Sequence, residues 1–164
     1  MAAQPRLNEI GTGAEPVATY AGCVTEPDIT FTVLDRSGAQ RMQPVRRELS
    51  VSSFGLNLIT LQPGQRNRVH VHKEQEEAYV VLSGQLTLIV EGIEHVLGPD
   101  DVVRVGPSVR RQLVNAGNEP VAVLALGGTG DHFGRDALAW GSWDDAGPGS
   151  DPQDVPLPPD LSRG

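Results

Sequence analysis

The sequence predicts an all-β fold, an antiparallel sandwich or barrel, and three observations predict it. Eight short runs with strand-like apolar patterns lie between residues 54 and 126. Turn residues stand between successive runs. The composition agrees, with 38% hydrophobic and only 4% aromatic residues, and with 19 Gly and 13 Pro to end many short elements.

In chain order, residues 1–25 lack sustained periodicity and read as an N-terminal arm. From 28 to 34, Thr30 and Thr32 alternate with Ile29, Phe31 and Val33, the pattern of a half-buried strand, and Asp35, Ser37 and Gly38 then supply a turn. Residues 44–49 suggest one helical turn. The regular part follows, with strands predicted at 54–61, 68–72, 77–82, 85–90, 95–97, 101–105, 111–115 and 121–126. Pro63-Gly64, Ser83-Gly84, Gly98-Pro99 and Gly106-Pro107 punctuate them, and Glu91-Gly92 reads as a tight hairpin turn. Residues 131–143, which carry both tryptophans, are predicted as a loop or short helix. Residues 144–164 hold five of the 13 prolines and five aspartates with little to bury, so a disordered or loosely draped tail is expected. These boundaries leave one domain, 26–143, large enough to fold without disulfides.

The formal net charge is −8 and the pI about 4.9, which argues against a nucleic acid or an anionic membrane as partner. The first ten residues lack the apolar stretch of a signal peptide, and no apolar run reaches the ~20 residues that span a bilayer. The single cysteine, Cys23, rules out an intrachain disulfide and reads as a small buried residue. A cytoplasmic location is expected.

Chemistry concentrates in one stretch. His70 and His72 are two residues apart, so on a strand both imidazoles face the same side with Cα atoms about 7 Å apart. Glu77 opens the next strand after a short polar turn, which brings a carboxylate beside them. Two imidazoles and a carboxylate form a common ligand set for a divalent transition metal with open positions.

The spacing of these residues resembles the cupin family. Gly64, five residues, His70, one residue, His72, four residues, Glu77, six residues and Gly84 match the first cupin motif. The second motif is present in altered form at 100–115. Asp101 and Asn115 fall in place, Gly106-Pro107-Ser108 occupies the turn, and Arg111 stands where most metal-binding cupins have a third histidine. The resemblance covers roughly residues 45–127. It implies an antiparallel double-stranded β-helix, or jelly-roll barrel, with short helical segments outside the barrel, and it implies assembly as a homodimer.

Arg111 divides the functional expectation, because a guanidinium stays protonated and does not ligate metals as imidazole does. In one reading His70, His72 and Glu77 hold Fe, Mn, Ni or Zn in a metal-dependent enzyme of dioxygenase or isomerase/epimerase type. In the other, ranked first, Arg111 replaces the metal as positive centre, pairs with Glu77 or with a ligand, and the barrel binds a small anionic metabolite. Arg68 shares the parity of the two histidines and is a candidate to join Arg111 in holding that anion. Tyr79 shares the parity of Glu77 and is a candidate to bring a phenol into the cavity. Arg66 and His95 read as surface residues, and His132 as a candidate lid or substitute ligand. The 28–34 strand lacks a partner within the core run and is expected to pair with a second subunit.

Overall fold

The computed structural model of the chain describes residues 29–128 and 136–162. Cys23, His132 and the arm at 1–25 lie outside the described residues. The elements, in order, are β1 (Met42–Gln43), α1 (Val45–Glu48), β2 (Gly55–Leu61), β3 (Val69–His72), β4 (Glu76–Ser83), β5 (Leu86–Val90), β6 (Ile93–Leu97), β7 (Val102–Val105), β8 (Arg111–Val114), β9 (Val121–Gly128) and β10 (Ala137–Trp140). They form two antiparallel five-stranded sheets, ordered β1-β2-β9-β4-β7 and β10-β3-β8-β5-β6. All eight predicted strands are present. No described helix is long and apolar enough to cross a membrane.

Side chains of alternating parity fill the space between the sheets. Leu61, Tyr79, Val81 and Val123 from one sheet meet Leu86, Leu88 and Leu113 from the other. Burying one such side chain contributes about 1.5–3 kcal/mol. The turns behave as their residues dictate. Glu91 and Gly92 both adopt positive φ (48° and 81°) between Val90 and Ile93, which face each other across the β5–β6 hairpin. Gly84 also has positive φ (74°), and a Cβ there would sit 2.8 Å from Val121 Cα, so the end of β4 requires glycine.

Two expectations are corrected. The stretch at 29–34 is not a strand. It runs beside Gln43, whose side chain donates to Val33 O (3.0 Å) and accepts from the Asp35 amide (2.9 Å), and it leaves Ile29, Phe31 and Val33 exposed. Its alternation is real, but it meets β1 through the Gln43 side chain rather than through a backbone ladder. Residues 131–143, expected as loop or short helix, contain β10, which pairs along β3 from Ala137↔His72 to Trp140↔Val69. Non-local pairing overrides the weak local pattern there.

The tail, expected as disordered or loosely draped, is described as far as residue 162, and residues 144–162 lie as a strap on the barrel. Ser150 bridges Ala139, Val155 is buried, and the Leu161 amide donates to Gly64 O at 2.8 Å. Its prolines fit a backbone that touches the barrel at single points instead of forming a regular ladder.

Candidate functional site

The site lies between the two sheets. β3 alternates Val69 and Val71, which pack against Trp140, with His70 and His72 on the other face. β8 lies beside β3 with Arg111 opposite His70, and β4 of the facing sheet brings Glu77 and Tyr79. The candidate ligand atoms of His70, His72 and Glu77 all lie within 4.8 Å of one another, so this group is positioned to hold a metal ion.

Each histidine is oriented by what lies behind it. His70 Nδ1 is 3.0 Å from Arg68 O, and a carbonyl only accepts, so Nδ1 carries a proton, while Nε2 lies 3.8 Å from Glu77 Oε2. His72 Nε2 is 3.3 Å from Glu77 Oε2. On its far side, Nδ1 is buried without a hydrogen bond, 3.6 Å from Asp136 Oδ2. Asp136 also accepts from the Gln75 amide (2.9 Å), fixing the turn between β3 and β4. Asp136 carries no signal in the sequence, because its position depends on β10.

Glu77 Oε2 is crowded. It accepts a hydrogen bond from Arg111 Nη2 at 2.8 Å and one from the Tyr79 hydroxyl. Arg111 is fully buried, and its Nη1 donates to Val109 O (2.9 Å) while its Nε faces the Tyr79 hydroxyl at 3.5 Å. Burial pushes the Glu77 carboxyl up, but hydrogen bonds and positive charge from His70 and His72 outweigh it and hold the group well below the ordinary carboxylate range. Burial, together with the Glu77 charge and hydrogen bond, raises the Tyr79 phenol far above its ordinary value, so it remains a donor.

This geometry corrects part of the ligand assignment. Arg111 is sealed beneath Glu77 with all three guanidinium nitrogens engaged, so it does not reach a ligand in the cavity. Tyr79 lines the cavity but commits its hydroxyl to Glu77. Arg68 does line the cavity, as its parity predicts, and its Nε donates to Val155 O.

The positions of the three donors fit a metal, but the charge does not. The one carboxylate is already neutralised by a buried guanidinium, which would lie close to any dication it ligated. The space beside the cluster is a cavity of about 480 Å³. His70, His72, Glu77, Tyr79, Asn57 and Asn67 contribute its polar lining, Arg41 and Arg68 its cations, and Pro152 and Leu157 of the strap one wall. A smaller pocket of about 140 Å³ reaches Asp136 behind His72. A larger open groove of about 720 Å³ passes Phe54, Ala78 and Leu126, where Arg104 and Glu76 pair with each other.

Residues 57–127 match the family described as the cupin domain. The fold is shared with a sugar phosphate isomerase of the cupin superfamily from Silicibacter pomeroyi, 26% identical over 79% of this chain and 89% of that one, with a TM-score of 0.55. It is also shared with a candidate sugar phosphate isomerase from Acidithiobacillus ferrooxidans, 26% identical over 58% of this chain, with a TM-score of 0.52. This chain spans 62% of the length of that protein. A Cupin 2 conserved barrel domain protein from Salinispora arenicola, 23% identical over 60% of this chain and 87% of that one, has a TM-score of 0.53. A comparison with the curated proteins gives no match. The barrel of this chain has the cupin fold, and its match to the cupin-domain family covers residues 57–127.

Proposed function

We propose that the barrel binds a small phosphorylated, polyhydroxylated metabolite of the sugar-phosphate class, without needing a metal. The observation that carries this is the cavity lining. Arg41 and Arg68 offer guanidinium groups suited to a phosphate, while Asn57, Asn67, His70 and His72 offer donors and acceptors suited to hydroxyls. The neutralised Glu77–Arg111 pair leaves the lining with a cationic balance within an acidic protein. Two solved relatives at 26% identity bear the name of sugar phosphate isomerases, which supports the same ligand class.

Calorimetric titration with ribose 5-phosphate, ribose and inorganic phosphate tests this. Ribose 5-phosphate should bind more tightly than ribose, weaken as salt rises, and lose at least tenfold in affinity in Arg68→Ala. Equal affinity for the phosphorylated and unphosphorylated sugar would reject the reading.

A second reading is a metal-dependent enzyme of dioxygenase or isomerase/epimerase type, and the close grouping of His70, His72 and Glu77 favours it. Elemental analysis of protein purified without a metal-affinity tag separates the two: one equivalent of Fe, Mn, Ni or Zn supports the second.

A further inference from the structure

We infer that the C-terminal strap is a built-in competitor for the cationic side of the cavity: residues 150–161 engage its arginines, and an anionic ligand has to displace them. This rests on the ligand reading above.

Three contacts carry the inference. Val155 O accepts from Arg68 Nε, Pro159 O accepts from Arg66 Nε at 3.0 Å, and Asp160 Oδ1 lies 3.7 Å from Arg41 Nη2. Each of these arginines therefore meets a strap oxygen. Arg41 and Arg68 are the two cations of the cavity lining, and Pro152 and Leu157 of the strap wall the same cavity. Charge is complementary too, since Asp151, Asp154 and Asp160 run along this stretch.

The strap is a weak partner that a ligand can replace. Between 151 and 162 only Val155 is buried, at 7% exposure. Its far end is pinned by the hydrogen bond from the Leu161 amide to Gly64 O, 2.8 Å. A phosphate can form bidentate hydrogen bonds with guanidinium and adds an ion-pair attraction that the neutral Val155 carbonyl lacks. The exchange of Val155 O for a phosphate is therefore favourable at Arg68. With ligand absent, the strap keeps Arg68 paired.

The test uses the full chain and two single substitutions. Val155→Gly removes the buried anchor, and Leu161→Pro removes the terminal amide donor, so a folding defect in one leaves the other to decide. Ribose 5-phosphate is titrated into all three proteins, and amide exchange at Leu161 is followed in the wild type. Both variants should bind about tenfold more tightly, and saturating ligand should speed exchange at Leu161. Equal affinity in the three proteins would overturn the competition while leaving the ligand reading intact. So would weaker binding by the variants with slower exchange at Leu161, which would make the strap part of the binding site. Absence of binding in all three would remove the ligand reading and the competition with it.

Discussion

Arg111 Nη2 donates to Glu77 Oε2 across the two sheets at 2.8 Å, with the arginine side chain fully buried and the glutamate side chain 14% exposed. This pair joins β8 of one sheet to β4 of the other at the centre of the barrel. It explains how a barrel with a carboxylate and two imidazoles inside remains balanced: the cation is supplied by the chain itself. Val109 O and the Tyr79 hydroxyl hold the guanidinium in place, so the pair is rigid.

Removing only the cation should therefore cost far more than removing the pair. Arg111→Met leaves Glu77 uncompensated and should destabilise the fold by about 3–5 kcal/mol, whereas adding Glu77→Gln should restore much of that loss. Urea unfolding of the two single variants and the double variant measures the coupling. Additive losses would mean that the two residues do not act as a pair.

The same carboxylate sets a dependence on acid. The Glu77 group is held below its ordinary value in the folded protein, so the stability it contributes is present above the unfolded value, near pH ~4.3, and is lost as pH falls through the folded value. The stability gap between wild type and Glu77→Gln should be widest near neutrality and should close in acid. A gap unchanged down to about pH 3 would show that the carboxyl is not held low.

The strands and the His70–His72–Glu77 group were legible in the sequence for the same reason. Period-two alternation decides both which residues face inward and which imidazoles share a face, and both are local properties. Arg68 followed from the same parity. What the sequence concealed depends on partners far along the chain. Ala137 to Trp140 is too short to declare itself a strand, and only β3 makes it one. Asp136 reaches His72 because β10 carries it there. Arg111 was legible as a cation at the histidine position, but its depth was not, because that depends on Val109 O and Tyr79 closing around it.

The two tryptophans predict a measurable role for the segment after β10. Arg110 Cζ lies 4.3 Å from the centre of the Trp140 ring and 5.5 Å from that of Trp143, while Trp140 Nε1 donates to Gly147 O at 2.7 Å. Cation–π contacts of this kind contribute about 0.5–2 kcal/mol. Arg110→Ala should lower the unfolding free energy by about 1 kcal/mol and shift tryptophan emission to longer wavelength as both rings gain water. Unchanged emission would show that the arginine does not cover them.

Ile29, Phe31 and Val33 stand exposed in a row beside β1, with Met42 exposed as well. If this chain pairs with a second copy of itself, these uncovered apolar residues are the expected place for the contact. Light scattering should give the mass of a dimer, and Phe31→Asp should shift the equilibrium toward monomer. A monomer at every concentration of the wild type would count against it.

The decisive substitution for the choice between a metal and a metal-free site is Arg111→His. In the wild type, a buried guanidinium takes up the Glu77 charge and stands opposite His70 on the neighbouring strand. Histidine there would remove the positive charge, release Glu77 Oε2 and place a third imidazole beside His70 and His72. One added ligand needs to contribute only ~1.4 kcal/mol to raise metal affinity tenfold, and the loss of repulsion adds to it. Titration with Zn²⁺ or Mn²⁺ should therefore show at least tenfold tighter binding by the variant than by the wild type. The wild type should meanwhile retain its affinity for ribose 5-phosphate when treated with a chelator. If the wild type instead holds one equivalent of metal, loses ligand binding on chelation, and gains nothing from Arg111→His, then the arginine is an accessory of a metal centre and the metal-free reading falls.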